Sequence, residues 1–133
     1  GLMGNKHAIG ETFHITGDEN LTWNQIYEIV ASALGVELKP YHISSEFLAS
    51  VGKQYNLEGN LLGDKAHTVI FDNSKVKRAV PGYVATTRFD QGARFAVEHI
   101  LAHPELQQED HEFDDWCDKV IVAVENARHA LIK

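Results

Sequence analysis

Residues 10–35 read GETFHITGDENLTWNQIYEIVASALG, and the fold assignment turns on them. Glu11 to Thr16 alternate polar and apolar side chains, with Phe13 and Ile15 on one face and Gly10 and Gly17 as boundaries. A period of two between glycines predicts a short strand. The period then changes to that of a helix. Thr22 and Gln25 have capping-box spacing, and Leu21 and Ile26 sit where a hydrophobic staple would close. Trp23, Ile26, Tyr27, Val30, Ala33 and Leu34 follow the i, i+3, i+4 pattern and Gly35 supplies the stop, so an amphipathic helix is predicted over 23–34.

Beyond this pair the same alternation continues. Val36 to Ile43 reads as a second strand, short or at an edge because of Pro40. Ser44 or Ser45 caps a brief helix through Phe47, Leu48 and Val51 that stops at Gly52. Residues 53–66 (KQYNLEGNLLGDKA) have no period and read as a loop, long enough inside a domain to suggest function. His67 to Phe71 (HTVIF) reads as a third, buried strand, after which Asp72 caps a short helix through Val76 and Ala79, ended by Pro81-Gly82. Thr87 and Asp90 begin a helix with Phe89, Ala93, Ala96, Val97, Ile100 and Leu101 on one stripe, broken by Pro104. A last helix places Phe113, Trp116, Cys117, Val120, Ile121, Val124 and Leu131 on one face, with acids near its start and Arg128, His129 and Lys133 near its end. The expected fold class is therefore α/β: a single small, helix-rich domain over 1–133 with a few short strands, residues 105–133 being a C-terminal helical extension of it.

Composition narrows the function. The 133 residues carry 19 acidic and 12 basic side chains, a formal net charge of −7. That balance argues against a nucleic-acid binder, which needs a Lys/Arg field. No apolar run approaches membrane-spanning length, so no membrane association is expected. A single Cys excludes an intrachain disulfide and a Cys-based zinc site, and points to a reducing, cytoplasmic setting. The chain opens Gly1-Leu2-Met3-Gly4, without an initiator Met, and reaches strand-like sequence within about ten residues. It reads as beginning in the middle of something.

The local motifs for chemistry are sparse. His99 and His103 have a chelating i, i+4 spacing, but no H-E-x-x-H arrangement or third ligand with diagnostic spacing accompanies them, so no metal is expected. Cys117, on an apolar stripe without a neighbouring His, is expected to be a buried, inert thiol. The acidic run Glu109 to Asp118 lacks the register of a calcium loop and fits a solvated helix start. No G-x-S-x-G element supports a hydrolase. Gly1-Leu2-Met3-Gly4 precedes the first strand instead of following one, and His7 occupies the next expected Gly, so the dinucleotide fingerprint is missing.

Taken in order, several stretches carry a resemblance. Gly10-Glu11-Thr12-Phe13-His14-Ile15-Thr16, followed by Leu21-Thr22 opening a helix that ends at Gly35, resembles the "GE-x-aromatic-N-I … LT … helix … G" stretch of the NAD-dependent epimerase/dehydratase family, the extended short-chain dehydrogenases/reductases. Gly63-Asp64 and then Phe71-Asp72-Asn73-Ser74-Lys75-Val76-Lys77-Arg78 resemble the family's "GD … D-x-S-K-x-x-R" block. Thr87 to Phe95 (TRFDQGARF) is similar to its "S-x-x-E-G-x-R" helix start, and the ordered set spans most of residues 8–103.

The resemblance implies a C-terminal, substrate-binding part of an enzyme whose Rossmann domain, holding NAD or NADP, is absent from this chain. The family's catalytic Tyr-x-x-x-Lys pair is missing too: Tyr27, Tyr41, Tyr55 and Tyr83 are followed four residues later by Ala31, Ser45, Gly59 and Thr87. No cofactor binding and no turnover by this chain alone are therefore expected. The implied substrate is a small molecule, a nucleotide sugar among the candidates, and the implied substrate-binding residues are Asp64, Lys65 and His67. Leu61 stands where many members place a pyrophosphate-binding Arg, and His67 and Thr68 where some have an Arg pair, so Lys65 and a protonated His67 are the cations that remain. The expected partners are that substrate, the missing Rossmann domain, and a second copy of the chain through an uncovered apolar face. A self-contained, non-catalytic α/β module that binds a small molecule or regulates is the alternative.

Overall fold

The computed structural model describes residues 1–132, apart from the side chain of Asp64. Five α-helices follow one another: α1 (Trp23–Leu34), α2 (Ser45–Val51), α3 (Ser74–Ala79), α4 (Phe89–Ala102) and α5 (His111–Leu131). Helical residues make up 58% of the chain, and no strand occurs among the described residues. The expected α/β class with its few short strands is thereby overturned. The chain forms two compact units, Gly1–Phe95 and Ala96 onward, with the division falling inside α4.

The helices form where their caps predict. Thr22 Oγ1 accepts from the Gln25 N–H at 3.3 Å, the Gln25 side chain accepts from the Thr22 N–H at 2.8 Å, and Gly35 closes α1 at φ 71°, a conformation that only glycine adopts without strain. Ser44 Oγ caps α2 by accepting from the Phe47 N–H at 3.2 Å. Asp110 does the same for α5 with Phe113. One cap lies a residue later than expected. Asn73, not Asp72, precedes α3, while Asp72 takes both the N–H and the hydroxyl of Ser74, at 2.8 and 2.9 Å. The aperiodic 53–66 segment is not featureless either: it holds a 3-10 turn at Lys53–Tyr55 and a π-helical turn at Gly59–Asp64.

The strand-like segments 11–16, 36–43 and 67–71 take no regular secondary structure, and no ladder joins them among the described residues. A strand is stable only with a partner across which its backbone groups bond, so alternation alone does not create one. Side chains serve the first segment in place of a ladder. Asn73 Nδ2 donates to the carbonyls of Thr16 and Gly17 at 3.0 and 3.3 Å and to Asp18 Oδ1 at 2.8 Å, and the Tyr83 hydroxyl donates to the Thr16 carbonyl at 3.3 Å. Lys75 pairs with Glu11 at 2.6 Å and lies over the Phe13 ring, and Lys77 pairs with Asp18. Segment 11–18 is thus tied to α3 and its flanks.

Little is fully buried. In the first unit Ala31, Ala49, Val76 and Ala93 are buried, Val76 being 1% exposed; in the second, Val97 and Val120. The accessible surface is 10756 Å². A compact 15 kDa protein exposes about 7,000 Å², and even two separately compact bodies of these lengths would expose only about 8,300 Å² between them. Val69, Ile70 and Phe71, expected inside a buried strand, are all more than half exposed.

Candidate functional site

In the first unit, the start of α1 and the 65–71 segment face each other across an open cleft of about 630 Å³. Leu21, Thr22, Trp23 and Ile26 line one side, and Lys65 and His67 are among those lining the other. The cleft continues along residues 68–71 into a hollow of about 470 Å³ that also reaches Thr16, Glu19 and Asn20. The capping box sets this geometry, because it fixes where α1 begins and hence which side chains stand at its rim.

Of the three sequence-predicted site residues, the structure brings two together. Lys65 follows the π-helical turn, its backbone N–H bonded to the Asn60 carbonyl at 3.1 Å, and it sends Nζ to 5.9 Å from the centre of the Trp23 ring. That is a cation–π approach, with the ammonium left exposed and able to meet an anion. His67 lines the same cleft two residues on. Asp64 ends the π-helical turn, and its side chain lies outside the described residues.

Trp23 was not among the expected site residues. Its helical spacing predicts a place in the core, yet it is 56% exposed and stands in the cleft beside Tyr27, ring centres 6.3 Å apart. The signal for this is positional: Trp23 is the first helical residue, and side chains in a helix lean back towards its N-terminus, over the entrance instead of the packed face. The face of α1 that does turn inward centres on Ala31.

The charges nearby are mostly occupied. Glu19 accepts from the Phe89 N–H at 2.8 Å and lies 3.9 Å from Arg88, which also holds Asp90 at 3.0 Å. Hydrogen bonds from the backbone and hydroxyl of Ser74 hold the Asp72 carboxyl below its ordinary pKa, with smaller contributions from Arg78 and His14. His14, which replaces the motif's Asn, packs its ring edge-on against Phe71 at 4.9 Å. Cys117, in the second unit, is half-buried; burial, then the charges of Asp114 and Asp118, push its thiol pKa up. A raised pKa suppresses the thiolate and hence nucleophilic chemistry there.

The site offers one ammonium, one imidazole and one exposed indole around an open hollow that continues along an apolar strip. Such a set can hold an anionic group against Lys65 while a flat or apolar portion of the same ligand rests on Trp23. No helix among the described residues is long and apolar enough to cross a membrane. Comparisons with protein-family models, with curated proteins and with solved structures give no match for this chain.

Proposed function

We propose that this chain is the substrate-binding portion of an NAD(P)-dependent oxidoreductase of the epimerase/dehydratase kind, with an anionic small molecule such as a nucleotide sugar as its ligand. The observation that carries the proposal is the cleft in which Lys65, His67 and Trp23 meet. Residues more than 40 positions apart along the chain converge there on chemistry suited to an anion with a planar part. The ordered motifs over residues 8–103 supply the enzyme class, and the absence of a Tyr-x-x-x-Lys pair from the sequence assigns the redox and proton-transfer steps to another part of the enzyme.

The exposed Trp23, Val69, Ile70 and Phe71 of this unit support a body lying over it. In this assignment Lys65 neutralises the ligand's negative charge, His67 adds a second donor and positive charge when protonated, and Trp23 provides the platform.

Titration of the chain with a nucleotide diphosphate sugar, followed by tryptophan fluorescence, tests this. Saturable quenching is expected, weakened about tenfold or more in Lys65→Ala, since a charge-assisted contact is worth roughly 1.5–3 kcal/mol. A Trp116→Phe background confines the signal to Trp23. An unchanged spectrum at saturating ligand, or equal affinity in Lys65→Ala, would remove the cleft from the proposal. Tight NADH binding by this chain alone would contradict the assignment of the cofactor to another domain.

A further inference from the structure

We propose that His99 and His103 form a two-imidazole chelating site for a borderline divalent metal ion of the Cu²⁺, Ni²⁺ and Zn²⁺ class, separate from the cleft and independent of the function proposed for it. Spacing alone does not carry this assignment; the geometry does. The two rings lie with their centroids 4.1 Å apart and their planes inclined by 37°. His103 Nδ1 is 2.7 Å from the His99 carbonyl oxygen. A carbonyl can only accept, so Nδ1 carries the proton, and in the neutral ring the lone pair sits on Nε2. An imidazole whose other nitrogen is tied to a backbone carbonyl is the arrangement that orients histidine ligands in metal sites.

His99 is exposed and His103 is partly exposed, so an ion reaches them from solvent. With metal–nitrogen bonds of about 2.0–2.1 Å, two nitrogens on one tetrahedral ion stand about 3.3 Å apart. The two ring centroids, 4.1 Å apart, lie within reach of one ion. The described residues contain no group of three or more His, Cys, Asp or Glu that could hold a metal, so the remaining coordination positions belong to water or an external ligand. The site is therefore open and exchangeable, and Cu²⁺ is expected to lead the affinity order. His103 leaves the helical path just after the end of α4, so a bridging ion clamps that terminus, and metal should stabilise the folded chain by mass action.

The test is isothermal titration of the full chain with CuCl₂ and with NiCl₂ in a non-chelating buffer near neutral pH. One equivalent per chain is expected. His99→Gln and His103→Gln should each weaken it by about tenfold or more, because the second imidazole binds intramolecularly. His7→Gln, at one of the six other histidines, is the control and should leave the affinity unchanged. Both site variants lie on the surface, and circular dichroism verifies that they stay folded. Equal affinity in the wild type and the His99→Gln/His103→Gln double variant, or full retention in either single variant, would overturn the assignment. Loss of cleft binding in the nucleotide-sugar titration would leave it untouched.

Discussion

Asn73 directs one amide group at three acceptors of the 16–18 turn, and its own side chain caps nothing on α3. Within a D-x-S-K block its neighbour Asp72 draws attention, yet Asn73, with Lys75, Lys77 and Tyr83, joins two segments more than fifty positions apart. Asn73→Ala should cost about 1 kcal/mol, the net worth of a lost hydrogen-bond set at a half-exposed site. Asn73→Asp should cost more, because it sets a second carboxylate against Asp18. Urea denaturation of the three proteins checks the order, and equal midpoints would show that the tether is idle. Beneath it Val76 is the most completely buried side chain described, on a short helix whose other residues are largely polar. Its burial was legible as one apolar position between Lys75 and Lys77. The tether was not, because no local period marks a side chain bonding to a distant backbone.

At the scale of elements, helices and strands diverge in how well their residues forecast them. The boundaries of α1 at Trp23 and Leu34 coincide with those read from Thr22, Gln25 and Gly35, since caps act within a single turn. Thr22→Ala should lower stability by about 1 kcal/mol and Gly35→Ala by a similar amount, the first through a lost cap and the second through strain at positive φ. Thr22→Ala should also weaken ligand binding in the cleft, because it loosens the turn that holds Trp23 opposite Lys65. Thermal melts alongside the fluorescence titration separate the two effects. An unaffected affinity in Thr22→Ala would mean that the rim of the cleft does not depend on the cap. The strand-like segments behaved differently. Their alternation is real, but no ladder joins them among the described residues.

For the molecule as a whole, stability at low pH follows from carboxylates held by surface pairs. Hydrogen bonding and charge from Lys75 lower the pKa of Glu11, Lys77 with Asn73 lowers that of Asp18, and Ser74 lowers that of Asp72. A carboxyl with a depressed folded pKa stabilises the fold above its unfolded value and loses that contribution as pH falls through the folded one. Denaturant midpoints should therefore fall on going from neutral to about pH 3 and below. The Lys75→Met/Lys77→Met variant should show a smaller fall, because the Glu11 depression loses its source and that of Asp18 keeps only the Asn73 hydrogen bond. An identical pH dependence in both proteins would show that these exposed pairs contribute nothing, as many do. The candidate site belongs to this scale as well. Lys65 and His67 were expected from the sequence as the cations that remain near Leu61 and Thr68, and they line one cleft, whereas Trp23 carried the spacing of a core residue and stands at the rim through where α1 begins relative to the 65–71 segment.

The amino-acid sequence by itself determined the helices, their caps and the shortage of cationic surface, because a helix satisfies its backbone within four residues and charge follows directly from composition. The tertiary structure alone decided that no ladder joins segments 11–16, 36–43 and 67–71 among the described residues, that Asn73 and Lys75 hold the first of them, and that Trp23 meets Lys65 across a cleft. Each of those outcomes depends on groups distant along the chain, and pairing across such distances is settled by which partners are present to meet.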